Sequence, residues 1–154
     1  MPRRPTVNPA MRPTALALNQ TLGIADVPSG AEHLLELPQS ALAHHRLSPI
    51  HPALFALAEG AGTARMGRDY AGQTRNGRLV VGRDASVKWR RTATGSLRAH
   101  ARVDDSTARH PYHGPATRSR TSATVPVEPT DHSRHLVLAG TFHWTIGGPA
   151  QPAV

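Results

Sequence analysis

The chain contains no cysteine, few aromatic residues and no long apolar run. Without cysteine, neither a disulfide framework nor thiolate chemistry is possible. Aromatic residues make up only 4% of the 154 positions, so few rings could stack on nucleic-acid bases. No apolar stretch approaches the roughly 20 residues that cross a bilayer, and the basic start lacks the apolar segment of a signal peptide. We therefore expect a soluble, cytoplasmic protein that does not contact a membrane.

Positive charge is abundant, with a formal net charge of +8. Such a balance is compatible with nucleic-acid binding. However, Lys88 is the only lysine among the 18 basic residues, which is typical of a coding bias toward arginine, and the arginines are scattered along the chain. We therefore do not expect nucleic acid to be the main partner, although a basic nucleic-acid-associated protein stays open as an alternative.

The length predicts one domain. Residues 1–13 are rich in proline and arginine and predict a disordered basic lead-in, and residues 148–154 predict a flexible tail. The single domain is expected over 14–147, with a long irregular loop at 105–122. That irregular stretch and the 14 prolines also leave open a diverged reading frame that no longer folds well.

The segment 51–66 is the clearest predicted helix. Pro52 suits a first turn, where its missing N–H is not needed, and apolar residues recur at helical spacing at Leu54, Leu57, Ala58 and Ala61. Gly60 and Gly62 each lower helix propensity by about 1 kcal/mol relative to alanine. Such glycines make sense if another part of the chain approaches the helix closely.

Two elements are predicted before this helix. Residues 15–22 suit a short helix that ends at Gly23, a residue common in the left-handed conformation after a helix. Residues 31–37 suit a first strand, because Leu35 and Leu37 would share one face.

After the central helix the apolar period changes to two, which predicts four strands near 81–90, 97–103, 125–127 and 136–146. Val81 and Ala85 should share the covered face of the first of these strands. A tight turn at Thr94-Gly95 should join the first two as a hairpin. Alternation of this kind indicates antiparallel pairing, so the fold class is α+β, with about five strands around one helix.

The segment 44–59, HHRLSPIHPALFALAE, resembles the signature of hotdog-fold acyl-CoA thioesterases, in particular their phenylacetyl-CoA-thioesterase-like branch or related hotdog proteins. In that family a loop with histidine leads into a buried helix carrying a phrase similar to A-L-F-A-L-A-[DE]. The stretches 85–103 and 138–144 are similar to the family's central hairpin and last strand. The resemblance implies a curved antiparallel sheet wrapped around the central helix, and hydrolysis of an acyl thioester.

The resemblance also implies roles for particular residues. Glu59 would be the catalytic carboxylate, acting as general base or nucleophile. His51 and His45 would position substrate or water, and the amides of Ala53 and Leu54 would polarise the thioester carbonyl at the start of the helix. Burial among small residues would make the carboxylate of Glu59 more basic and therefore better suited to activating water.

Two departures favour an alternative. His51 and Glu59 are eight residues apart, one fewer than is usual in the family, and Pro52 stands where a small residue normally donates its backbone N–H. Loss of one such donor costs about 2.7–4 kcal/mol of transition-state stabilisation. The alternative is a catalytically weak hotdog protein that binds acyl thioesters without turnover.

Four basic residues are candidates for binding the phosphates of a CoA substrate: Arg83, Lys88, Arg90 and Arg91. Exposed basic residues on a sheet also serve solubility alone. The substrate carrier is expected to be CoA or acyl carrier protein, and no cofactor is expected.

The His110–His113 and His132–His135 pairs have spacings compatible with a metal, but nothing predicts a third ligand on a rigid element, so no metal site is expected. The resemblance implies a homodimer or a dimer of dimers, formed by joining two sheets edge to edge.

Overall fold

The computed structural model describes residues 13–27, 34–39, 50–70, 78–101 and 121–149, and all structural statements below refer to them. After a short turn of 3-10 helix at Pro13–Ala15, two α-helices and seven strands follow. The helices are α1 (Ala17–Leu22) and α2 (Ile50–Asp69). The strands are β1 (Ala25–Val27), β2 (Leu34–Leu37), β3 (Arg78–Trp89), β4 (Leu97–His100), β5 (Thr121–Val127), β6 (Thr130–Asp131) and β7 (Leu138–Pro149).

The strands form two antiparallel sheets rather than the single sheet of about five strands that the sequence predicts. One sheet has the order β1-β2-β4-β6 and the other β3-β7-β5. A β-bridge between Ala101 and Val127 connects them, and the Glu128 N–H donates a hydrogen bond of 3.3 Å to the His100 carbonyl beside it. The α+β class and the antiparallel pairing are confirmed, whereas the strand count was too low because β1 and β6 have only three and two residues.

The central helix is confirmed and extends to Asp69, where Arg65 forms an ion pair of 2.7 Å with that carboxylate one turn away. α2 packs against strands of both sheets: β2, β4, β5 and β7. The predicted apolar positions Leu54, Leu57, Ala58 and Ala61 are all fully buried. The core of the molecule therefore lies between α2 and the sheets.

Gly60 explains why the helix tolerates glycine. A Cβ atom at Gly60 would lie 3.0 Å from Cδ1 of Leu35 on β2, and 3.4 Å from Pro13. Few real Cβ atoms approach a neighbour so closely. The expected close approach to this helix is thus confirmed at Gly60.

The short helix before the sheet is also confirmed. α1 ends at Gly23, whose φ of 73° lies in the left-handed region that glycine adopts without strain. Asn19 is buried and donates a hydrogen bond of 2.8 Å to the Pro13 carbonyl, which attaches α1 to the chain entering it.

Two predictions about the strands are wrong. β3 and β4 do not form a hairpin, because β3 pairs with β7 while β4 pairs with β2 and β6. Val81 and Ala85 do not share the covered face either. A bulge between Gly82 and Asp84 adds one residue, Arg83, to β3, so Val81 lies on the outer face, 50% exposed.

The turn at Gly95, with a φ of 72°, is attached to the loop after β6 instead. The buried carboxylate of Asp131 accepts hydrogen bonds from the N–H groups of Ser133 (3.0 Å) and His135 (2.9 Å) and from the hydroxyl of Thr94 (3.1 Å). The hydrogen bond from the His135 N–H contributes most to lowering the pKa of Asp131 below its ordinary value, and the hydroxyl of Thr94 and the charge of His135 add to it.

Candidate active site

The start of α2 is held against the end of the edge strand β3. The His51 ring stacks on the Trp89 ring with centroids 4.0 Å apart and planes inclined by 25°. The two rings border a surface pocket of about 290 Å³, which we call the helix-start pocket; its other lining residues are Leu54, Arg90, Arg91, Thr92 and Val137. Among the described residues, this pocket therefore combines two stacked aromatic rings with two arginines.

Glu59 lies in a second pocket, of about 200 Å³, between α2 and the middle of strands β3 and β7. Phe55 and Glu59 line it from the helix, residues 82–85 from β3 and residues 142–144 from β7. We call it the Glu59 pocket. Phe55 and Phe142 pack against each other at its border, with centroids 5.5 Å apart.

The Glu59 side chain lines this pocket but is still exposed to solvent. The residue is exposed in the single chain, whereas the sequence predicted a partly buried carboxylate. The prediction of burial is wrong for one chain, because β3 is the edge strand of its sheet and no further strand of the described chain extends past it. The expectation that Glu59 lies beside a pocket is met.

His51 and Glu59 are not brought together in one chain. Eight residues of helix separate them, which is about 12 Å along the axis. Each lines a different pocket. A single carbonyl group therefore cannot contact both the start of α2 and Glu59 of the same chain.

The Ala53 and Leu54 amides, predicted to polarise the carbonyl, lie one residue further into the helix than expected. α2 begins at Ile50, one residue earlier than predicted, so the N–H of Leu54 falls opposite the Ile50 carbonyl in the helical hydrogen-bond pattern. The Ile50 and His51 amides precede that pattern, and Pro52 has no N–H. Ala53 and Leu54 are both buried, and only Leu54 lines the helix-start pocket.

The predicted phosphate-binding residues are divided between the pockets. Arg90 and Arg91 line the helix-start pocket, and Arg83 lines the Glu59 pocket at the bulge of β3. Lys88 is exposed on β3 and lines neither of them. His45 lies outside the described residues.

Sequence reasoning missed several residues of the site. The period-two pattern identifies Trp89 only as a member of a strand, although its ring stacks on His51. On the outer face of the three-stranded sheet, His143 Nδ1 and Thr124 Oγ1 share a hydrogen bond of 2.9 Å, and His143 Nε2 lies 3.6 Å from Asp84. These residues come from three strands, and the period-two pattern of each strand alone carries no sign of their meeting.

The histidines considered for a metal have other contacts where they are described. The ring of His132 hydrogen bonds to the Thr94 carbonyl at 3.0 Å, and His135 lies 3.8 Å from Asp131. No cluster of three ligand-type residues occurs in the described ranges. Within the same ranges, no helix has the length and apolarity needed to cross a membrane.

Comparison with known proteins identifies the fold. No family model matches the chain, and no curated protein is similar to it in sequence. Among solved structures, a Pseudomonas aeruginosa protein of unknown function, named a probable thioesterase, is 22% identical with a TM-score of 0.71, covering 95% of this chain and 99% of that one.

Two further solved structures have a similar fold. A Haemophilus influenzae thioesterase is 15% identical with a TM-score of 0.57, covering 97% of this chain and 95% of its own. The Escherichia coli PaaI protein from the phenylacetic acid degradation operon is 16% identical with a TM-score of 0.58, covering 88% and 87%. At these identities the similarity establishes the fold. The chain thus has the hotdog fold of thioesterase-superfamily proteins, and the resemblance noted in the sequence is confirmed at that level.

Proposed function

We propose that the protein hydrolyses an acyl thioester, with Glu59 as the catalytic general base or nucleophile. The observation that carries this proposal is the position of Glu59. Of the two carboxylates of α2, Asp69 pairs with Arg65, whereas Glu59 lines a pocket beside the apolar rings of Phe55 and Phe142, in a fold shared with thioesterases. An acyl chain fits such an apolar border, and a carboxylate can activate the attacking water.

The reaction would run by attack of water on the thioester carbonyl. Glu59 takes the proton of the water while the C–O bond forms and the carbonyl oxygen becomes negative. The C=O bond then re-forms, the C–S bond breaks, and the proton on Glu59 passes to the departing sulfur. The negative oxygen needs nearby N–H donors. We assign this role to the amides of Ile50 and His51 at the positive end of α2.

Because those amides and Glu59 of one chain are too far apart, a complete site requires a second copy of the chain. The free edge of β3 is the natural place for it: β3 has only β7 as a neighbour among the described strands, and Trp89 is 40% exposed there. Two-fold antiparallel pairing of β3 strands would place two α2 helices on one face, running in opposite directions. The start of one helix would then approach Glu59 of the other.

The charges on β3 favour one register for this pairing. If Ser86 lies opposite Ser86 of the second copy, Asp84 lies opposite Lys88 of the second copy, and the same pair forms twice because of the symmetry. Ala85 then faces Val87, and within each chain these two residues pair with Phe142 and Gly140 of β7. We propose this homodimer as the functional unit.

The carrier of the acyl group is proposed to be coenzyme A. Arg90 and Arg91 in the helix-start pocket supply the planar, doubly donating groups that suit phosphate, and Arg83 offers a third at the bulge. Lys88 is assigned to the dimer contact in this scheme. Acyl carrier protein is the alternative carrier, because exposed arginines also suit an acidic protein surface.

A thiol-release assay over a panel of acyl-CoAs tests the hydrolytic function. Glu59→Gln keeps the size of the side chain and removes the base, so kcat is expected to fall by about 100-fold or more. Glu128→Gln, at an exposed position outside both pockets, is the matched control and should keep wild-type activity. Equal activity of Glu59→Gln and wild type would exclude Glu59 as the catalytic group.

A second candidate function is binding of acyl thioesters without turnover. Pro52, which removes one amide from the first turn of α2, and the exposure of Glu59 both favour it. Calorimetric binding of an acyl-CoA that is then recovered intact would support this candidate. Binding of nucleic acid, the remaining alternative, would show a steep loss with added salt.

A further inference from the structure

The ring of Trp144, on β7, spans the gap between α2 and the edge strand β3. Its Cζ2 atom lies 3.5 Å from the position of a Cβ atom on Gly62 of α2, and its Cζ3 atom lies 3.5 Å from that position on Gly82 of β3. Both are ordinary contact distances, and Trp144 is only 5% exposed. The ring therefore fills the space that the two glycines leave between the helix and the sheet.

The Trp144 ring is also a wall of the Glu59 pocket. Trp144, Gly82 and Glu59 all line this pocket, together with the apolar ring of Phe142. Gly62 follows Glu59 by three residues, so both lie on one face of α2, about 4.5 Å apart along the axis. An acyl chain that has its carbonyl at Glu59 and runs inward between helix and sheet therefore meets the Trp144 ring.

The volume of the Glu59 pocket sets the size of the acyl group that fits inside. The pocket measures about 200 Å³. A cavity of about 150 Å³ holds a molecule of the size of benzene, so this pocket has room for an acyl group of about four to six carbons. The further carbons of a longer chain would leave by the open side beside the exposed Glu59 and stay in water, where they add no binding energy.

We propose that the Trp144 ring limits the length of the acyl chain, and that the substrates are thioesters of short acyl groups. This inference rests on the proposed hydrolytic function for its substrate, but the limit applies equally to binding without turnover. Each methylene group buried in the pocket should raise kcat/KM about fourfold until the chain reaches the ring. The chain length at which this rise ends, which we call the length limit, is expected at about four to six carbons in the wild type.

The kinetic test measures kcat/KM for straight-chain acyl-CoAs from acetyl-CoA to dodecanoyl-CoA. Trp144→Leu removes the ring and breaks no hydrogen bond of the indole N–H, which has no partner among the described residues. Neighbouring side chains fill only part of a freed space, so the length limit should rise by about two carbons and octanoyl-CoA should gain about tenfold relative to butyryl-CoA. An unchanged length limit in folded Trp144→Leu, or a wild-type rise that continues to dodecanoyl-CoA, would overturn the proposal.

Two milder variants keep the test conclusive if Trp144→Leu does not give a cooperative thermal melt. Trp144→Phe keeps a smaller ring, so the length limit should rise by about one carbon. Gly82→Ala adds a methyl group to the pocket wall at an ordinary contact distance from the ring, so the length limit should fall. Val81→Ala, on the outer face of β3, is the control and should keep the wild-type limit. A wild-type limit in both milder variants would contradict the role of Trp144.

Binding without turnover separates this proposal from the hydrolytic one. The probes are CoA thioethers in which a CH2 group stands between the sulfur and the acyl carbonyl, so that they cannot be hydrolysed as thioesters. Their affinities are measured by calorimetric titration across the same range of chain lengths. Affinity should rise up to the length limit in the wild type and up to a longer limit in the folded Trp144 variants.

The thioether titrations decide the role of Trp144 whether or not the protein is an esterase. The same limit in the wild type and in a folded Trp144 variant, or no binding of any probe, overturns the role of Trp144 even if the protein hydrolyses thioesters. A longer limit in the variant of a protein that hydrolyses no thioester keeps the role of Trp144 and defeats only the hydrolytic function.

Discussion

His51 stacks on Trp89 with ring centroids 4.0 Å apart, and this contact joins the first turn of α2 to the last residue of the edge strand β3. The helix start and the strand end are thereby held in one position relative to each other. In the proposed dimer, both would lie at the boundary between the two copies. The stack is therefore expected to support both stability and the placement of substrate.

Replacing Trp89 tests whether the stack on His51 contributes to stability. Trp89→Ala should lower the free energy of unfolding by about 0.5–1.5 kcal/mol from the ring contact, and by more for the lost apolar area. Trp89→Phe keeps a ring and should lie much closer to the wild type. Urea unfolding monitored by circular dichroism measures the difference. Equal losses in both variants would show that stacking on His51 contributes nothing measurable.

Gly60 and Gly62, two of the three glycines of α2, make a matched pair for testing packing against the helix. Alanine at Gly62 meets Trp144 at an ordinary contact distance, so Gly62→Ala should gain about 0.5–1 kcal/mol of stability from helix propensity. Alanine at Gly60 would lie 3.0 Å from the Leu35 side chain, so repacking should offset that gain. We expect Gly60→Ala to be less stable than Gly62→Ala by about 1 kcal/mol or more. Calorimetric melting of the two variants gives the order directly.

Asp131 makes folding sensitive to acid. Its pKa is lowered in the folded protein, chiefly by the hydrogen bond from the His135 N–H, so folding favours the charged carboxylate. The stabilisation is present above the ordinary pKa of an aspartate and is lost as the pH falls through the lowered value in the folded state. Asp131→Asn should be less stable than the wild type at neutral pH, and the two should converge in acid.

Thermal melts of the wild type and Asp131→Asn between pH 7 and pH 2 measure this convergence. Glu128→Gln, a neighbouring exposed carboxyl position, serves as the control and should follow the wild-type curve. A constant difference between wild type and Asp131→Asn across the whole pH range would contradict the assigned role of the charge.

The proposed register of the dimer predicts a charge-swap result. Asp84→Lys should weaken the dimer because it places like charges opposite each other, and adding Lys88→Asp should restore association. Sedimentation equilibrium measures the dissociation constants. His143→Asn is the control for the second contact of Asp84, which lies 3.6 Å from His143 within the chain. Additive losses in the double variant would exclude this pairing.

Local features of the fold were predictable from the sequence because they depend on neighbouring residues. The central helix followed from the spacing of Leu54, Leu57, Ala58 and Ala61, and its first residue differed by only one. The end of α1 followed from Gly23, since glycine adopts its left-handed φ at no steric cost. Alternation located the strands, and the observed β7 buries Leu138, Phe142, Trp144 and Ile146 as expected.

The pairing of the strands was not predictable in the same way. Proximity in sequence and the turn at Gly95 suggested a β3–β4 hairpin, but β3 pairs with β7, some 50 residues later in the chain. The bulge at Arg83 breaks the period of two within β3, so a strict alternation assigned Val81 to the wrong face. Both errors come from contacts that join distant parts of the chain.

The candidate site was predictable in part. Glu59 was found from the resemblance of one motif, and its pocket is observed. The exposure of Glu59 was not foreseen, because it depends on β3 being an edge strand. The alternation along β7 predicts only that Trp144 lies on the covered face, and one strand's pattern does not show that its indole N–H is buried without a partner among the described residues.

The central claim is that Glu59 of one copy acts together with the start of α2 of another, and complementation of two inactive variants tests it most directly. Glu59→Gln lacks the base, and His51→Pro lacks the second first-turn amide at a position where helices accept proline. The two purified variants are unfolded and refolded together in equal amounts, and thioester hydrolysis is then measured. We predict that each alone is inactive and that the mixture recovers about one quarter of wild-type activity, because half of the dimers are mixed and each contains one intact site. A mixture as inactive as its components, in which mixed dimers are shown to be present, would contradict the claim.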